Sequence, residues 1–255
     1  MLLPWHGKGP IHVLGVPYEG PITGAPGCAL APDAIRKAAE FIEAYSYDYD
    51  VDVSKQITDL GNIYVSHDVE RALDDISDAV RGLKNPIVLG GSHTVTLGVL
   101  RALNVNTVVY IDAHWDLRDE YMGERYSHAC VARRLIEDGK KVLFLGVRSG
   151  TREEWTLGKQ YVWYGVERWP DIEGNVYITL DMDVFDPAFA PGVGTPEPGG
   201  ISPSAFFAWL RRIPAKIVGA DIVEVNPLIE GWRTPILAAK VVRELAAKMI
   251  SGKAL

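Results

Sequence analysis

The chain has 255 residues, 47% hydrophobic and 23% charged, an ordinary globular balance with enough length for one large α/β core. Its 33 acidic and 26 basic side chains leave a net charge of −7 with no basic run, which argues against nucleic-acid binding and suits a cationic substrate. Two widely spaced cysteines, Cys28 and Cys130, imply no disulfide framework and fit a reducing cytoplasm, no signal peptide is read at the N-terminus, and no apolar run approaches the roughly 20 residues of a membrane span.

Ile11–Val16 reads as a short buried strand that runs into YEGPITGAPGCALAP, a Gly/Pro-rich loop too long for a mere connector. Pro32 opens a helix expected to reach about Tyr45, with Ile35, Ala38, Ala39 and Ile42 on one face. Tyr45–Val53 alternates aromatic or apolar residues with Asp and fits either an exposed strand or an acidic loop. Ser66 reads as the N-cap of the next helix, whose Val69, Leu73, Ile76, Val80 and Leu83 recur at helical spacing. Strand Pro86–Leu89 ends in Gly90-Gly91-Ser92-His93 and is followed at once by an apolar helix, Val95–Leu103. Strand Thr107–Ile111 turns abruptly into Asp112, His114 and Asp116.

Beyond it the spacing predicts a helix over Ser127–Asp138 and strands at Val142–Val147, Tyr161–Tyr164 and Asn175–Leu180, the last ending in Asp181-Met182-Asp183. A second Gly/Pro-rich loop, VFDPAFAPGVGTPEPGGIS, leads to a helix that starts at Ser202-Pro203 and ends near Ile213. Strand Ala215–Val223 ends at Glu224, and Thr234-Pro235 opens the last helix, with Leu237, Val241, Leu245 and Met249 on its buried stripe. Alternating strands and helices predict a parallel sheet of about eight strands with helices on both faces. No change in composition marks a boundary, so residues 1–255 read as a single domain.

The polar residues at the strand ends carry the chemistry. Alternate residues on a strand share a face, so Asp112 and His114 project together, with Asp116 following as the strand opens. Buried carboxylates cost several kcal/mol or more without a counter-charge. His93, Asp112, His114, Asp116, Asp181, Asp183 and Glu224 all follow strands, and ligands of open parallel sheets bind outside the carboxyl ends. A capping or surface role is the plainer reading for His93 or Glu224 alone, but not for the whole set. This donor set is too rich in oxygen for a structural zinc site; imidazole mixed with carboxylate suits Mn²⁺ or another divalent ion. Four carboxylates balance two divalent cations and point to a two-metal site with an acidified water.

PGCALAPDAIR, GGSHT, DAHWD, SHACVARR, LDMDVFDPAFAPGVGTPEPGG and DIVEVNP together resemble the ureohydrolases, the family of arginases, agmatinases and formimidoylglutamases, nearly end to end. Within the family the likeness is greatest to agmatinases of the shorter archaeal kind. The resemblance implies a three-layer αβα fold of the arginase/deacetylase type and two Mn²⁺ per subunit. His93, Asp112, Asp116 and Asp181 would hold one ion, and His114, Asp112, Asp181 and Asp183 the other, with Asp112 and Asp181 bridging. It also implies that a hydroxide between the metals attacks the guanidinium carbon, that Glu224 orients the guanidinium, that Asp116 passes a proton to the leaving amine and that His128 shuttles protons or binds substrate. The family further implies a homo-oligomer, trimer or hexamer. His6, His12 and His67 match nothing and read as structural.

Most relatives carry an acid where Ser92 stands, so one metal is expected to bind more weakly, and Trp115 stands where many have a small polar residue. The loop LRDEYMGERY lacks the Asn/Ser/Gly pattern with which arginases read an amino acid, which speaks against arginine. Asp119 or Glu120 would receive a cationic tail, as agmatine needs, unless these charges simply pair with their neighbours. Hydrolysis of agmatine to putrescine and urea is therefore expected, within polyamine biosynthesis. N1-aminopropylagmatine, giving spermidine and urea, is the close alternative, ahead of arginine, guanidinobutyrate and formimidoylglutamate. A zinc amidohydrolase of the deacetylase type would need fewer carboxylates, and a non-catalytic metal-binding scaffold would be expected to have lost a ligand or Glu224. The two Gly/Pro loops, Gly20–Ala31 and Ala190–Gly200, are expected to shape the pocket mouth.

Overall fold

In chain order the elements are β1 (Ile11–Val16), α1 (Ala31–Ala39), β2 (Tyr45–Ser46), β3 (Val51–Asp52), β4 (Ile57–Asn62), α2 (Val69–Val80), β5 (Pro86–Gly90), α3 (Val95–Ala102) and β6 (Thr107–Ile111). They continue with α4 (Val131–Glu137), β7 (Lys141–Leu145), α5 (Arg152–Gly158), β8 (Val162–Tyr164), β9 (Asn175–Asp181), α6 (Pro203–Arg212), β10 (Lys216–Val223) and α7 (Arg233–Ser251). This computed structural model describes residues 5–20 and 25–252, so the PITG segment of the first loop lies outside the described residues.

Eight strands form one sheet in the order β4-β1-β5-β10-β9-β6-β7-β8, every neighbouring pair parallel. The period of two divides its side chains between two cores. Ile87 and Leu89 of β5, Val109 and Ile111 of β6, and Ile178 and Leu180 of β9 face α1, α6 and α7. Val88, Val108, Tyr110 and Tyr177 face the opposite layer of α2, α3 and α4. Both faces of the sheet are thus covered, as an all-parallel sheet requires, and the three-layer αβα expectation agrees with the structure. Helix–helix contact is close where α3 crosses α2: a Cβ on Gly98 would lie 2.7 Å from Ile76 Cβ.

Several local expectations are corrected. Helix α1 stops at Ala39, short of Tyr45, because the N–H groups of Glu40, Phe41 and Ile42 reach back only three residues and tighten the last turn. Ser66 is not the cap of α2. Asp68 accepts the Arg71 N–H at 3.0 Å, and the Ser66 hydroxyl instead accepts the Asp68 N–H at 3.1 Å. Tyr45–Val53 contains the two-stranded β2–β3 hairpin, with Asp50 turning at φ 55°. The edge strand β4 escapes the apolar pattern because only Ile57 of its six residues is buried. Helix α5 spans seven residues and shows in sequence chiefly as a capping box, Thr151 with Glu154.

Candidate metal centre and substrate cavity

The four central strands, β5, β10, β9 and β6, are consecutive in the sheet, and each ends in part of the polar cluster. His93 follows β5, Glu224 follows β10, Asp181 closes β9 with Asp183 in the turn beyond, and Asp112, His114 and Asp116 follow β6. Cross-strand register pairs Val223 with Asp181 and Ile111 with Leu180, so the donors start at one level. Asp116 and Glu224 adopt left-handed backbone, φ 50° and 65°, which strains a non-glycine residue and is common where function demands it.

His93 is the centre of the cluster. Its Nδ1 lies 3.1 Å from Asp112 Oδ2 and 3.4 Å from an oxygen each of Asp116 and Asp181. Its other nitrogen, Nε2, lies 2.9 Å from Thr179 Oγ1. The Thr179 hydroxyl donates to Asp221 Oδ1 at 2.6 Å, and Tyr177 donates to Asp221 Oδ2 at 2.7 Å. A hydroxyl whose proton goes to Asp221 accepts from Nε2–H, so in the neutral ring the lone pair is on Nδ1. Nδ1 and one oxygen each of Asp112, Asp116 and Asp181 therefore converge on one point, the Asp116 oxygen also accepting from the Tyr110 hydroxyl. Asp112 Oδ2, although beside Nδ1, is buried and accepts no hydrogen bond.

A second group adjoins it. His114 Nδ1 lies 2.8 Å from Asp183 Oδ2 and 3.5 Å from Asp112 Oδ1. Asp112 belongs to both groups capable of holding an ion, one with His93 and Asp116, the other with His114 and Asp183. Burial and then the Asp112 carboxylate push Asp116 well above the usual carboxylate range; burial and then Asp183 and Asp112 do the same to Asp181. Such a cluster calls for positive charge. The orphan oxygen, the imidazole nitrogen and the crowded carboxylates fit a pair of divalent cations.

Supports beneath these donors were not read from the sequence. Tyr110 donates to Asp116 Oδ2 at 2.6 Å and stacks on the His93 ring at 4.7 Å. Trp115, fully buried, makes edge contacts with Trp155 at 5.2 Å and Phe144 at 5.1 Å, and fits under the cavity wall only because Gly150 and Gly158 lack the Cβ that would lie 2.7 Å from its ring. Arg148 pins the second Gly/Pro loop by donating to the Asp183 carbonyl at 2.8 Å and the Glu197 carbonyl at 2.5 Å. The Thr179–Asp221 pair gives a direct expectation. Thr179→Val removes the acceptor that fixes the His93 tautomer and should weaken metal binding by about 10–100-fold, with Thr179→Ser restoring it. Calorimetric Mn²⁺ titration of the metal-free protein checks this, and equal affinity in the valine variant would contradict the tautomer assignment.

The cluster opens into a cavity of about 440 Å³ lined by His93, His114, Asp116, Asp181, Glu224, Arg118, Tyr121, His128, Thr151, Glu154 and Thr195 among others. Glu224 accepts the His93 N–H at 2.7 Å, and burial pushes its carboxyl up to about 7. His128 meets the Tyr121 ring edge-on at 5.8 Å, and burial lowers its imidazole to about 4. Ser92, held by its N–H on the Tyr18 carbonyl at 2.8 Å, is buried behind the cluster and does not line the cavity. Of the two long loops, the second supplies Thr195 to the wall, whereas the described part of the first does not line the cavity.

Asp119 and Glu120, expected to receive a cationic tail, do not line this cavity. Asp119 takes Arg134 at 2.7 Å and approaches Arg125 and Arg133 at 4.0 Å, the pairing of neighbouring charges that competed with a substrate role. Both line a second depression of about 510 Å³, which shares Arg118, Thr151 and Glu154 with the first. The outer carboxylate on the cavity wall is Glu154, whose capping-box spacing from Thr151 was the only signal for it.

A sequence model of the arginase family matches residues 10–247. The chain is 37% identical to the agmatinase of Pyrococcus horikoshii over 250 residues, 90% of this chain and 88% of that one. It is 37% identical to the N(1)-aminopropylagmatine ureohydrolase of Thermococcus kodakarensis over 254 residues, 90% of this chain and 87% of that one. Among solved structures, the agmatine ureohydrolase of Thermoplasma volcanium superposes with a TM-score of 0.86 at 35% identity, covering 96% of this chain and 91% of that one. Fold, donor cluster and sequence agree: the chain belongs to the arginase family.

Proposed function

We propose that the protein is a binuclear manganese ureohydrolase that hydrolyses agmatine to putrescine and urea. The observation that carries this reading is the convergence of imidazole nitrogens and carboxylate oxygens around His93 and His114, with Glu224 at the same cavity. His93, Asp112, Asp116 and Asp181 would hold one ion, and His114, Asp112, Asp181 and Asp183 the other; imidazole mixed with carboxylate suits Mn²⁺. When bound, the ion pair supplies an acidified water and a Lewis acid at the guanidinium carbon. Glu224 pairs with the planar guanidinium and fixes its orientation. Asp116, held by Tyr110, takes the proton that the attacking water gives up and passes it to the amine as its bond to carbon breaks, and His128, kept neutral by burial, binds substrate at the cavity wall as a hydrogen-bonding group. Glu154 on the outer wall is the carboxylate available to the ammonium end.

The names of relatives on agmatine and N1-aminopropylagmatine support the substrate class. Arg118 on the same wall favours a second reading, a guanidino acid such as 4-guanidinobutyrate, whose carboxylate it would attract. Urea release with added Mn²⁺, compared across agmatine, N1-aminopropylagmatine, 4-guanidinobutyrate, arginine and formimidoylglutamate, tests both. Agmatine is expected to be turned over best. No urea from any guanidino compound sinks the reading, and a lead for guanidinobutyrate transfers it to the acid.

Among the described residues no helix is long and apolar enough to cross a membrane. We place the enzyme in the cytoplasm, on the support of its buried free cysteines, and as a homo-oligomer, on the support of the exposed Phe41–Trp232 edge contact at 5.0 Å.

A further inference from the structure

We propose that Arg118 is a specificity-determining gate that sets how long a guanidino amine the enzyme accepts. The inference rests on the ureohydrolase reading above and names the substrate feature that reading leaves open. Two depressions lie side by side, the metal-side cavity of about 440 Å³ and the outer one of about 510 Å³, and they share Arg118, Thr151 and Glu154. These three residues are the partition. Two of them are fixed. Glu154 is buried and accepts the N–H groups of Leu117 at 3.3 Å and Thr151 at 2.9 Å, closing the N-terminus of α5. Arg118 is the movable part. Its backbone is tied by an N–H bond to the Ala129 carbonyl at 3.2 Å, but its side chain is 38% exposed. The guanidinium rests between the Tyr121 ring, 4.6 Å below Cζ, and Glu154, 3.6 Å from Nε, with no hydrogen bond at that distance.

Beyond the partition the outer depression carries Glu120 and Glu153, both exposed, while Asp119 is paired with Arg134 beside Arg133. A guanidino amine with one ammonium ends on the inner side, at Glu154. A longer polyamine tail, with a second ammonium, must pass Arg118, where like charge opposes it, before reaching acids that would welcome it. Arg118 thus works as repulsive selection against the longer substrate, and its removal joins the two depressions.

The test compares kcat/KM for N1-aminopropylagmatine and agmatine in the Mn²⁺-loaded wild type, Arg118→Ala and Arg118→Met. Wild type is expected to favour agmatine. Arg118→Ala should shift the ratio toward the longer amine by about tenfold, carried by KM rather than kcat, since the tail is far from the reacting carbon. Inhibition by spermidine relative to putrescine should strengthen in parallel. Arg118→Met keeps the reach without the charge, should shift the ratio the same way by a smaller factor, and replaces the alanine variant if that one does not fold. A ratio within about twofold of wild type in a variant that still releases urea overturns the gate. A wild type that releases no urea from either amine overturns the underlying function instead, so the two failures are distinct.

Discussion

Asp112→Asn is expected to lose both metals and the activity together. Asp112 is the carboxylate common to the two donor groups, and its Oδ2 has no hydrogen-bond donor. An amide turns one oxygen with free lone pairs into an N–H₂ group that repels a cation, while its remaining oxygen can still accept the His114 N–H, now 2.6 Å from Asp112 Oδ1. The local backbone therefore keeps its support, and the loss is chemical. Without the ions, water at the cavity is no longer acidified, and kcat/KM should fall on the order of 10³-fold or more. Elemental analysis of protein passed through gel filtration, alongside urea release, checks this. Retention of two Mn²⁺ per chain would remove Asp112 from the bridging position.

Glu224→Gln separates substrate binding from metal binding. The glutamine oxygen can replace Oε1 as acceptor of the His93 N–H, now 2.7 Å long, and the side-chain length is unchanged, so metal content should stay at the wild-type level. On the proposed role of Glu224, what is lost is the negative charge facing the guanidinium. Removing one partner of a buried, hydrogen-bonded charge pair costs roughly 2–5 kcal/mol, which corresponds to about 30- to 4,000-fold in kcat/KM. Kinetics at saturating Mn²⁺ with agmatine measure the loss. Unchanged kinetics would place the guanidinium elsewhere, and lost metal would make Glu224 a support of His93 rather than a substrate group.

The sheet was legible because its strands are fully buried runs at β5, β6 and β9, and the donors were legible because polar groups that interrupt such runs at their ends have no structural reason to be there. Chain order alone does not say that β5, β10, β9 and β6 lie side by side; that adjacency makes one cluster from residues as distant as His93 and Glu224. What escaped was of three kinds. Strand β4 buries only Ile57, so no apolar pattern marks it. Tyr110, Thr179 and Asp221 look like ordinary strand residues, since the first two fit β propensity and the third needs partners on two other elements, Thr179 and Tyr177 on β9 and, through Thr179, His93. Asp119 and Glu120 follow the central motif closely, but closeness in sequence does not fix the direction of an exposed loop. Asp119 turns toward Arg134, whereas Glu154, from an element with little periodic signal, reaches the cavity. Trp115 found its explanation in two small residues far along the chain, Gly150 and Gly158.

The place of β10 bears on how the sheet and the site are completed. It is the last strand of the sheet in chain order, yet it pairs with β5 on one side and β9 on the other. Without residues 216–223 the sheet would be two halves, β4-β1-β5 and β9-β6-β7-β8, with inner edges that no strand covers. Such edges invite pairing with other chains. The donors are divided the same way, His93 on one half and Asp112, His114, Asp116, Asp181 and Asp183 on the other. An ion joining His93 to the carboxylates would need the final strand between the halves. The complete donor set therefore exists only where β10 joins the two halves.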